Sequence, residues 1–255
     1  MKIDKRIIKC VVFDLDGTIY FGKELAEKAN EVISYARTKY GSIAFATNNS
    51  ALKREKIFDR LISMGIKDIE VNDVMNSTYI IPSYLKSNGI DRVWSIGTND
   101  LKMELSEKGI NPSSNNPQAI IIGYNPKFVL TDIEEALNVY SEDCKIIVAN
   151  VERSYPKSHN VLTPGCGAIV ASFCHTVNRK IDVILGKPEP DMLLTVAKEK
   201  KVLPENILMV GDSYISDITM ANKIGAQSIW INSNKTNTNN IGNVIQCLRQ
   251  ILSVI

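Results

Sequence analysis

Residues 11–20 read Val-Val-Phe-Asp-Leu-Asp-Gly-Thr-Ile-Tyr, and this stretch decides the fold. It continues an apolar run that starts at Ile7, which is typical of a strand buried on both faces of a parallel sheet. The run ends in two carboxylates, Asp14 and Asp16, and Gly17 then allows a tight turn. On its own, Asp-Leu-Asp-Gly is also compatible with a solvated turn. Ligands bind at the carboxyl ends of strands in open α/β sheets, so the stretch also predicts a ligand site that contains two acids. Two carboxylates this close repel each other unless a hard cation such as Mg2+ lies between them.

The composition is that of a soluble globular protein with room for two domains. The chain has 255 residues, 44% of them hydrophobic and 23% charged, and a net charge of +2. This balance gives no argument for a nucleic-acid partner, and no apolar run is long enough to cross a bilayer. The five cysteines are scattered, which is typical of free thiols in a reducing compartment. We therefore expect a cytoplasmic protein with neither a nucleic-acid nor a membrane partner.

Strand and helix patterns alternate along the chain, which predicts an α/β fold with a doubly wound parallel sheet. A helical pattern covers Glu24–Lys39, and a short buried strand follows at Ser42–Ala46. Near the other end, Ser228–Ile231 is predicted to be the last strand. A polar loop is predicted over 233–240, and a closing helix over Ile241–Leu252.

Four predicted strand ends carry side chains suited to phosphate chemistry. Each has an ordinary alternative: Thr47 could cap a helix, Lys187 could be a solvated loop residue, and Asp217 could favour a helix dipole. Their joint occurrence at one sheet edge predicts an active site. The residues, strand end by strand end, are Asp14 and Asp16; Thr47 and Asn48; Lys187; and Asp212 with Asp217.

The order and spacing of these motifs resemble the haloacid dehalogenase superfamily of phosphotransferases, whose fold is a doubly wound sheet. The matching residues are Asp14-Leu-Asp16-Gly17-Thr18 for the first motif, Thr47 for the second, Lys187 for the third, and Gly211-Asp212 with Asp217 for the fourth. The second acid, Asp16, is present in phosphatases of the superfamily and absent from its dehalogenases. The resemblance therefore implies phosphoryl transfer rather than dehalogenation.

The resemblance also implies the roles of the acids. Asp14 would attack phosphorus and form an aspartyl-phosphate. Asp16 would protonate the leaving oxygen and then deprotonate the attacking water. The cofactor would be Mg2+, held by the Asp14 carboxylate, the Asp16 backbone carbonyl and Asp212.

The remaining motif residues are implied to bind the phosphoryl group or to support the site. Thr47 and Asn48 would donate hydrogen bonds to phosphoryl oxygens, and Lys187 would offset charge in the transition state. Asp217 would orient Lys187 or the water shell of the metal. The other supporting residues are Gly17 and Ser213.

The long interval between the second and third motifs predicts an inserted domain. Thr47 and Lys187 are separated by enough chain for a complete α/β cap, whereas the interval from Gly17 to Thr47 holds a single helix. This placement resembles the NagD-like or 4-nitrophenylphosphatase-type branch, subclass IIA, which carries a C2-type cap. The predicted domains are 1–73 with 183–255 for the catalytic core and 74–182 for the cap, and family relatives often pair through this cap as homodimers.

Two cap loops depart from the pattern of the branch, and in the first the chain reads Tyr124-Asn-Pro-Lys127 in place of the usual acidic and aromatic residues. Relatives tend to have a Thr-Asn-x-Asp type of loop where this chain has Ala149-Asn-Val-Glu-Arg153. Asn150 and Arg153 are predicted to contact substrate, and Arg153 or Lys127 could bind a second anionic group. The alternative for Arg153 is a solvated surface cation.

The sequence therefore predicts a Mg2+-dependent phosphatase of a small phosphorylated metabolite. Sugar phosphates, glycerol phosphates, nucleotides and pyridoxal phosphate are all open as substrates. Two alternatives stay open. One is a phosphotransferase with an acceptor other than water, and the other is a non-enzymatic regulator that binds metal or metabolite.

Overall fold

The computed structural model describes residues 3–158, 161–233 and 243–255. The chain divides into two compact units, and the second is inserted in the first. The first unit comprises Met1–Thr47, Glu55–Met75 and Lys187–Ile255, and the second comprises Asn48–Arg54 and Asn76–Gly186.

Parallel strands and the helices that connect them account for most of the described chain. The strands are β1 (Cys10–Asp14), β2 (Tyr20–Phe21), β3 (Glu24–Leu25), β4 (Ser42–Thr47), β5 (Val74–Asn76), β6 (Arg92–Ile96), β7 (Asn111–Pro112), β8 (Ala119–Ile122), β9 (Lys145–Val148), β10 (Ser154–Ser158), β11 (Val161–Pro164), β12 (Val183–Ile184), β13 (Ile207–Gly211), β14 (Gln227–Ile231) and β15 (Asn243–Ile245). The helices are α1 (Ala29–Tyr40), α2 (Arg54–Ser63), α3 (Ser77–Ser87), α4 (Asn99–Glu107), α5 (Leu130–Leu137), α6 (Cys166–Thr176), α7 (Asp191–Lys200), α8 (Thr219–Lys223) and α9 (Ile251–Val254). Among the described helices, none combines the length and the apolarity that crossing a bilayer requires.

The first unit is built on a sheet with the strand order β15-β14-β13-β1-β4-β5. Its central strands β1 and β13 are buried along their whole length, as expected for parallel strands covered on both faces. In the register, Asp14 pairs with Ala46 of β4, and Phe13 pairs with Val210 of β13. The carboxyl ends of these three strands therefore lie side by side.

The second unit has its own parallel sheet, with the order β12-β9-β8-β6-β7. The apolar runs of β8 and β9 are buried, and α5 and α6 supply apolar side chains to the same hydrophobic core. Strands β10 and β11 form a separate antiparallel pair.

The observed boundary between the units differs from the predicted one at residues 183–186. Val183 and Ile184 pair in parallel with Ile147 and Val148, so this segment belongs to the sheet of the second unit. The predicted core segment 183–255 therefore begins at Lys187 in the structure, and residues 48–54 lie in the second unit.

Two helix predictions are wrong in their limits. The helix predicted over Glu24–Lys39 begins only at Ala29, because Glu24–Leu25 pair with Tyr20–Phe21 in a short antiparallel ribbon. The predicted closing helix is replaced in part by β15, which pairs in parallel with β14 and is therefore the last strand of the sheet. Residues 234–242 lie outside the described residues, and with them most of the predicted loop over 233–240 and the first two residues of that helix.

Candidate active site

Asp14 ends β1 in the first unit and is joined there to Lys187. The Lys187 Nζ donates a hydrogen bond to Asp14 Oδ1, and it also donates to the backbone carbonyl of Ala46, at 3.1 Å. Asp14 and Lys187 are only 6% and 5% exposed. Lys187 comes from a segment 173 residues further along the chain, so this contact depends on the tertiary fold.

Asp217 is the second partner of Lys187. Its Oδ1 accepts a hydrogen bond from Lys187 Nζ at 2.7 Å, and its Oδ2 accepts from the backbone N–H of Ser213 at 3.1 Å. Asp217 is fully buried. A Cβ on Gly211 would lie 2.2 Å from Asp217 Oδ2, so only glycine permits this approach.

Asp212 lies at the same edge and is packed against Gly17. A Cβ on Gly17 would lie 2.3 Å from Asp212 Oδ2, and Gly17 has φ +91°, a conformation that favours glycine. One carboxylate oxygen from each of Asp14, Asp212 and Asp217 lies within 4.8 Å of the others. The turn after β1 is therefore shaped to accept the Asp212 carboxylate.

The electrostatics of this cluster show an excess of negative charge. Burial raises the pKa of Asp14 well above its ordinary value; Lys187 opposes this shift, while Asp217 and Asp212 add to it. Desolvation and the Asp217 carboxylate raise the pKa of Asp212 to about 6, even though part of its side chain reaches solvent. Burial alone would lower the pKa of Lys187, but the two adjacent carboxylates outweigh it and raise that pKa, so the ammonium stays charged.

The donor set fits a hard divalent cation. Three carboxylates lie close together, only two of them form an ion pair with the buried Lys187 ammonium, and carboxylate oxygens are the ligands that Mg2+ prefers. Both oxygens of Asp217 already accept hydrogen bonds from Lys187 and Ser213. Asp14 and Asp212 are therefore the side chains suited to hold the cation, and Asp217 orients Lys187.

Asp16 and Thr47 complete the predicted residues of the first unit. Asp16 is exposed, and its Oδ2 accepts a hydrogen bond from the hydroxyl of Tyr20 at 2.9 Å. Thr47 is buried at the end of β4, one residue beyond the Ala46 that pairs with Asp14. Thr47 therefore lies at the same edge of the sheet as Asp14, whose carboxylate Lys187 contacts.

The predicted substrate residues of the second unit are arranged differently. The Asn48 amide donates to Glu152 Oε1 at 2.9 Å. Asn150 is 2% exposed. Its side-chain Nδ2 donates to the Asn48 backbone carbonyl at 2.7 Å, and its side-chain Oδ1 accepts from the Glu152 backbone N–H at 3.2 Å. Asn150 therefore organises this loop, and its contact with substrate stays a prediction. Arg153 is exposed, which is compatible with both a contact to substrate and a solvated surface cation.

Sequence reasoning assigned no role to three residues that contact one of the predicted site residues within the same unit. Tyr20 binds Asp16, and its position four residues later in the same turn is a signal that could have found it. Trp230 Nε1 donates to the backbone carbonyl of Asp212 at 2.8 Å, a contact that depends on the pairing of β13 with β14. Glu152 holds the Asn48 amide across 104 residues of chain, which no local pattern indicates.

Comparison with protein families gives two matches. A model described as haloacid dehalogenase-like hydrolase matches residues 11–111, and a related HAD-hydrolase-like model matches residues 184–247. The interval between them lies wholly within the inserted second unit. These matches confirm the resemblance that the motifs indicate.

Curated and solved relatives cover nearly the whole chain. The sugar-phosphatase AraL of Bacillus subtilis is 27% identical over 224 residues, which are 87% of this chain and 82% of that protein. The crystal structure of 4-nitrophenylphosphatase from Thermotoga maritima superposes with a TM-score of 0.88 at 24% identity, over 98% of both chains. That of a glycerol phosphate phosphatase from Mycobacterium tuberculosis in complex with calcium gives a TM-score of 0.84 at 24% identity, over 97% of this chain and 75% of the other. The structural likenesses confirm the predicted fold class.

Proposed function

The chain belongs to the haloacid dehalogenase-like hydrolases and is a phosphoric monoester hydrolase, and on that premise we propose that it cleaves a small phosphate ester through a phosphorylated Asp14. The observation that carries the proposal is the buried Lys187 ammonium bound to Asp14 and Asp217 at the carboxyl ends of the strands. A nucleophilic carboxylate must stay ionised, and Lys187 keeps a positive charge against it.

In the proposed reaction, residues of the first unit carry out each chemical step. An Asp14 oxygen attacks phosphorus, and the new O–P bond forms as the bond to the leaving oxygen breaks. Asp16 gives its proton to that oxygen. Asp16 then removes a proton from water, the water oxygen attacks phosphorus, and inorganic phosphate leaves with Asp14 restored. Thr47, at the end of the adjacent strand, is assigned to donate a hydrogen bond to the phosphoryl group.

Mg2+ is the proposed cofactor, held by the Asp14 carboxylate, the Asp16 backbone carbonyl and Asp212. Its charge would offset the repulsion between the carboxylate nucleophile and the phosphate dianion. The raised pKa values of Asp14 and Asp212 support this assignment, because uncompensated carboxylates hold protons that a cation would displace.

The second unit is, in this proposal, the substrate-selecting cap, and pairing of two copies through it stays a prediction. Arg153 is the candidate for a second anionic group on the substrate. Sugar phosphates and glycerol phosphate are the first substrates to test, since relatives are named for them. Nucleotides and pyridoxal phosphate remain in the panel.

The test measures phosphate release from this panel and from 4-nitrophenyl phosphate, with Mg2+ and with chelator. Asp14→Asn is expected to abolish turnover and retain the fold, whereas Asp4→Asn, which removes a surface carboxylate paired with Arg6, is expected to change nothing. Acid quenching during turnover should trap a phosphoryl group on the peptide that contains Asp14.

Full activity in Asp14→Asn, or an unphosphorylated Asp14 peptide under turnover, would show the mechanism to be wrong. Transfer of the phosphoryl group to added alcohols in preference to water would instead identify a phosphotransferase that uses the same intermediate. Phosphate release that continues unchanged in chelator would remove the metal from the proposal.

A further inference from the structure

The hydroxyl of Tyr20 makes a hydrogen bond to the side chain of Asp16. The Tyr20 Oη and Asp16 Oδ2 are 2.9 Å apart, and Tyr20 is only 2% exposed. An ionised carboxylate can only accept hydrogen bonds, so the tyrosine hydroxyl is the donor. The contact therefore joins an exposed carboxylate to a side chain that is enclosed by the protein.

The backbone of the turn fixes the distance between the two residues. The Leu15 carbonyl accepts the N–H groups of Thr18, Ile19 and Tyr20, at 3.2, 2.9 and 3.2 Å. The Gly17 N–H donates back to the Tyr20 carbonyl at 2.8 Å. Asp16 and Tyr20 therefore lie on opposite sides of one closed turn.

Arg60, on α2 of the same unit, holds the tyrosine ring from outside the turn. Its guanidinium lies 4.7 Å from the centre of the Tyr20 ring, and it donates a hydrogen bond to the Gly22 carbonyl at 2.9 Å. The Tyr20 side chain is therefore held between the guanidinium of Arg60 on its ring and the carboxylate of Asp16 at its hydroxyl.

We propose that Tyr20, supported by Arg60, is the positioning residue of the general acid–base Asp16, an inference that rests on the function proposed above. The Tyr20 hydroxyl can donate its hydrogen bond to Oδ2 whether Asp16 is ionised or neutral, because the carbonyl oxygen of a carboxylic acid still accepts a hydrogen bond. The proton that Asp16 transfers is thereby confined to Oδ1, and the carboxyl group is held in one orientation.

This role makes a prediction that depends on the leaving group. An alkoxide is a poor leaving group and needs the proton from Asp16, whereas 4-nitrophenolate leaves without much assistance. The ratio kcat/KM reports the steps up to departure of the leaving group. Weakening the general acid should therefore reduce kcat/KM for an alkyl phosphate far more than for 4-nitrophenyl phosphate.

The experiment compares wild type with Tyr20→Phe, Asp16→Asn and Tyr35→Phe, on 4-nitrophenyl phosphate and on the best alkyl phosphate of the panel. Tyr35 is the matched control, because its hydroxyl donates to the Ile255 carbonyl at 3.1 Å in the same unit without contact to Asp16. General acid–base catalysis contributes about 10²–10⁴-fold, so Asp16→Asn should lose that range on the alkyl phosphate. Tyr20→Phe should lose about tenfold on the alkyl phosphate and less than about threefold on the aryl phosphate, as a partial loss of the same effect. Tyr35→Phe should leave both values unchanged.

Equal losses on both substrates in Tyr20→Phe, or no loss on either, would overturn the role of Tyr20. If Asp16→Asn shows the leaving-group dependence and Tyr20→Phe does not, the proposed function stands and this inference alone is rejected. If Asp16→Asn itself shows no such dependence, the acid–base assignment fails and the role of Tyr20 fails with it. Thermal unfolding of each variant shows whether it is folded at the assay temperature, so that a loss of activity is not mistaken for a loss of folded protein.

Discussion

Lys187 and Asp217 form a 2.7 Å ion pair in the interior of the first unit, and the same ammonium also contacts Asp14. One cation therefore serves two buried carboxylates. Charges in such a position are costly unless each is compensated, so the arrangement has consequences for stability as well as for catalysis.

Replacing the shared cation should destabilise the protein strongly. Lys187→Met leaves Asp14 and Asp217 buried without an ammonium, and removing one partner of a buried pair costs about 3–5 kcal/mol. Adding Asp217→Asn removes one of the two buried carboxylates that have lost their ammonium, so the double variant should be more stable than Lys187→Met alone. Urea unfolding in chelator measures both differences. A double variant less stable than either single variant would contradict the shared-cation account.

Gly17→Ala should weaken metal binding beyond its effect on the backbone. The added Cβ would lie 2.3 Å from Asp212 Oδ2 and must displace that carboxylate. Gly41→Ala is the matched control, since Gly41 has a similar φ of +85° and open space around its Cβ position. Both variants should lose about 1–2 kcal/mol from left-handed backbone strain. Calorimetric Mg2+ titration should show a loss of affinity of about 10–100-fold in Gly17→Ala alone. Equal affinity in the two variants would mean that Asp212 is not a ligand.

Metal affinity should fall as the pH is lowered through about 6, because the pKa of Asp212 is raised to about 6 in the metal-free protein. Below that pH Asp212 is protonated and the cation must displace the proton; above it the carboxylate is already ionised. Trp230 fluorescence can report binding, since its indole N–H donates to the Asp212 carbonyl. Trp94→Phe leaves Trp230 as the single tryptophan. Adding Asp212→Asn to this background should lower the affinity and remove the part of the pH dependence that is centred near 6, while the contribution of Asp14 remains. An affinity that does not change between pH 5 and 7 in the Trp94→Phe protein would count against Asp212 as a ligand.

A second buried ion cluster in the first unit should affect stability without affecting catalysis. Asp73, 1% exposed, binds Arg37 at 2.5 Å and Lys200 at 2.6 Å, and it accepts the Glu70 N–H at 2.8 Å. Asp73→Asn should cost about 3–5 kcal/mol, since two cations lose their carboxylate.

The control for this cluster is Glu27→Gln, which breaks an exposed 2.9 Å pair with Arg249 and should cost no more than about 1 kcal/mol. Denaturant unfolding measures both, and kcat per folded molecule should be unchanged. Reduced kcat in folded Asp73→Asn would show that this cluster is coupled to the site.

Short-range patterns were sufficient to predict the α/β class, the family and the residues at the strand ends. A buried parallel strand appears in the sequence as a continuous apolar run, so β1 and β13 could be predicted, and so could the polar residues that follow them. Helix limits were less well predicted. The stretch Tyr20–Leu25 pairs with itself around Gly22, and that pairing overrides the helical pattern that starts at Glu24.

Contacts between distant segments could not be predicted in the same way. The role of Asn150 was assigned from its place in a loop, but only the fold shows that its amide is used to bind the Asn48 carbonyl. Val183 and Ile184 were predicted to belong to the core segment 183–255, yet they pair with β9 in the second unit. In both cases several partners were compatible with the local sequence.

The sequence by itself determined which chemistry is present: two acids after one buried strand, a threonine, a lysine and two further acids after others, in an order typical of one family. Tertiary structure alone decided how these groups share charge. Lys187 faces both Asp14 and Asp217, Gly17 makes room for Asp212, and Arg60 holds Tyr20 against Asp16. The physical reason is that apolar periodicity is a local property of the chain, whereas desolvation and Coulomb energy depend on distances that exist only once the strands are paired.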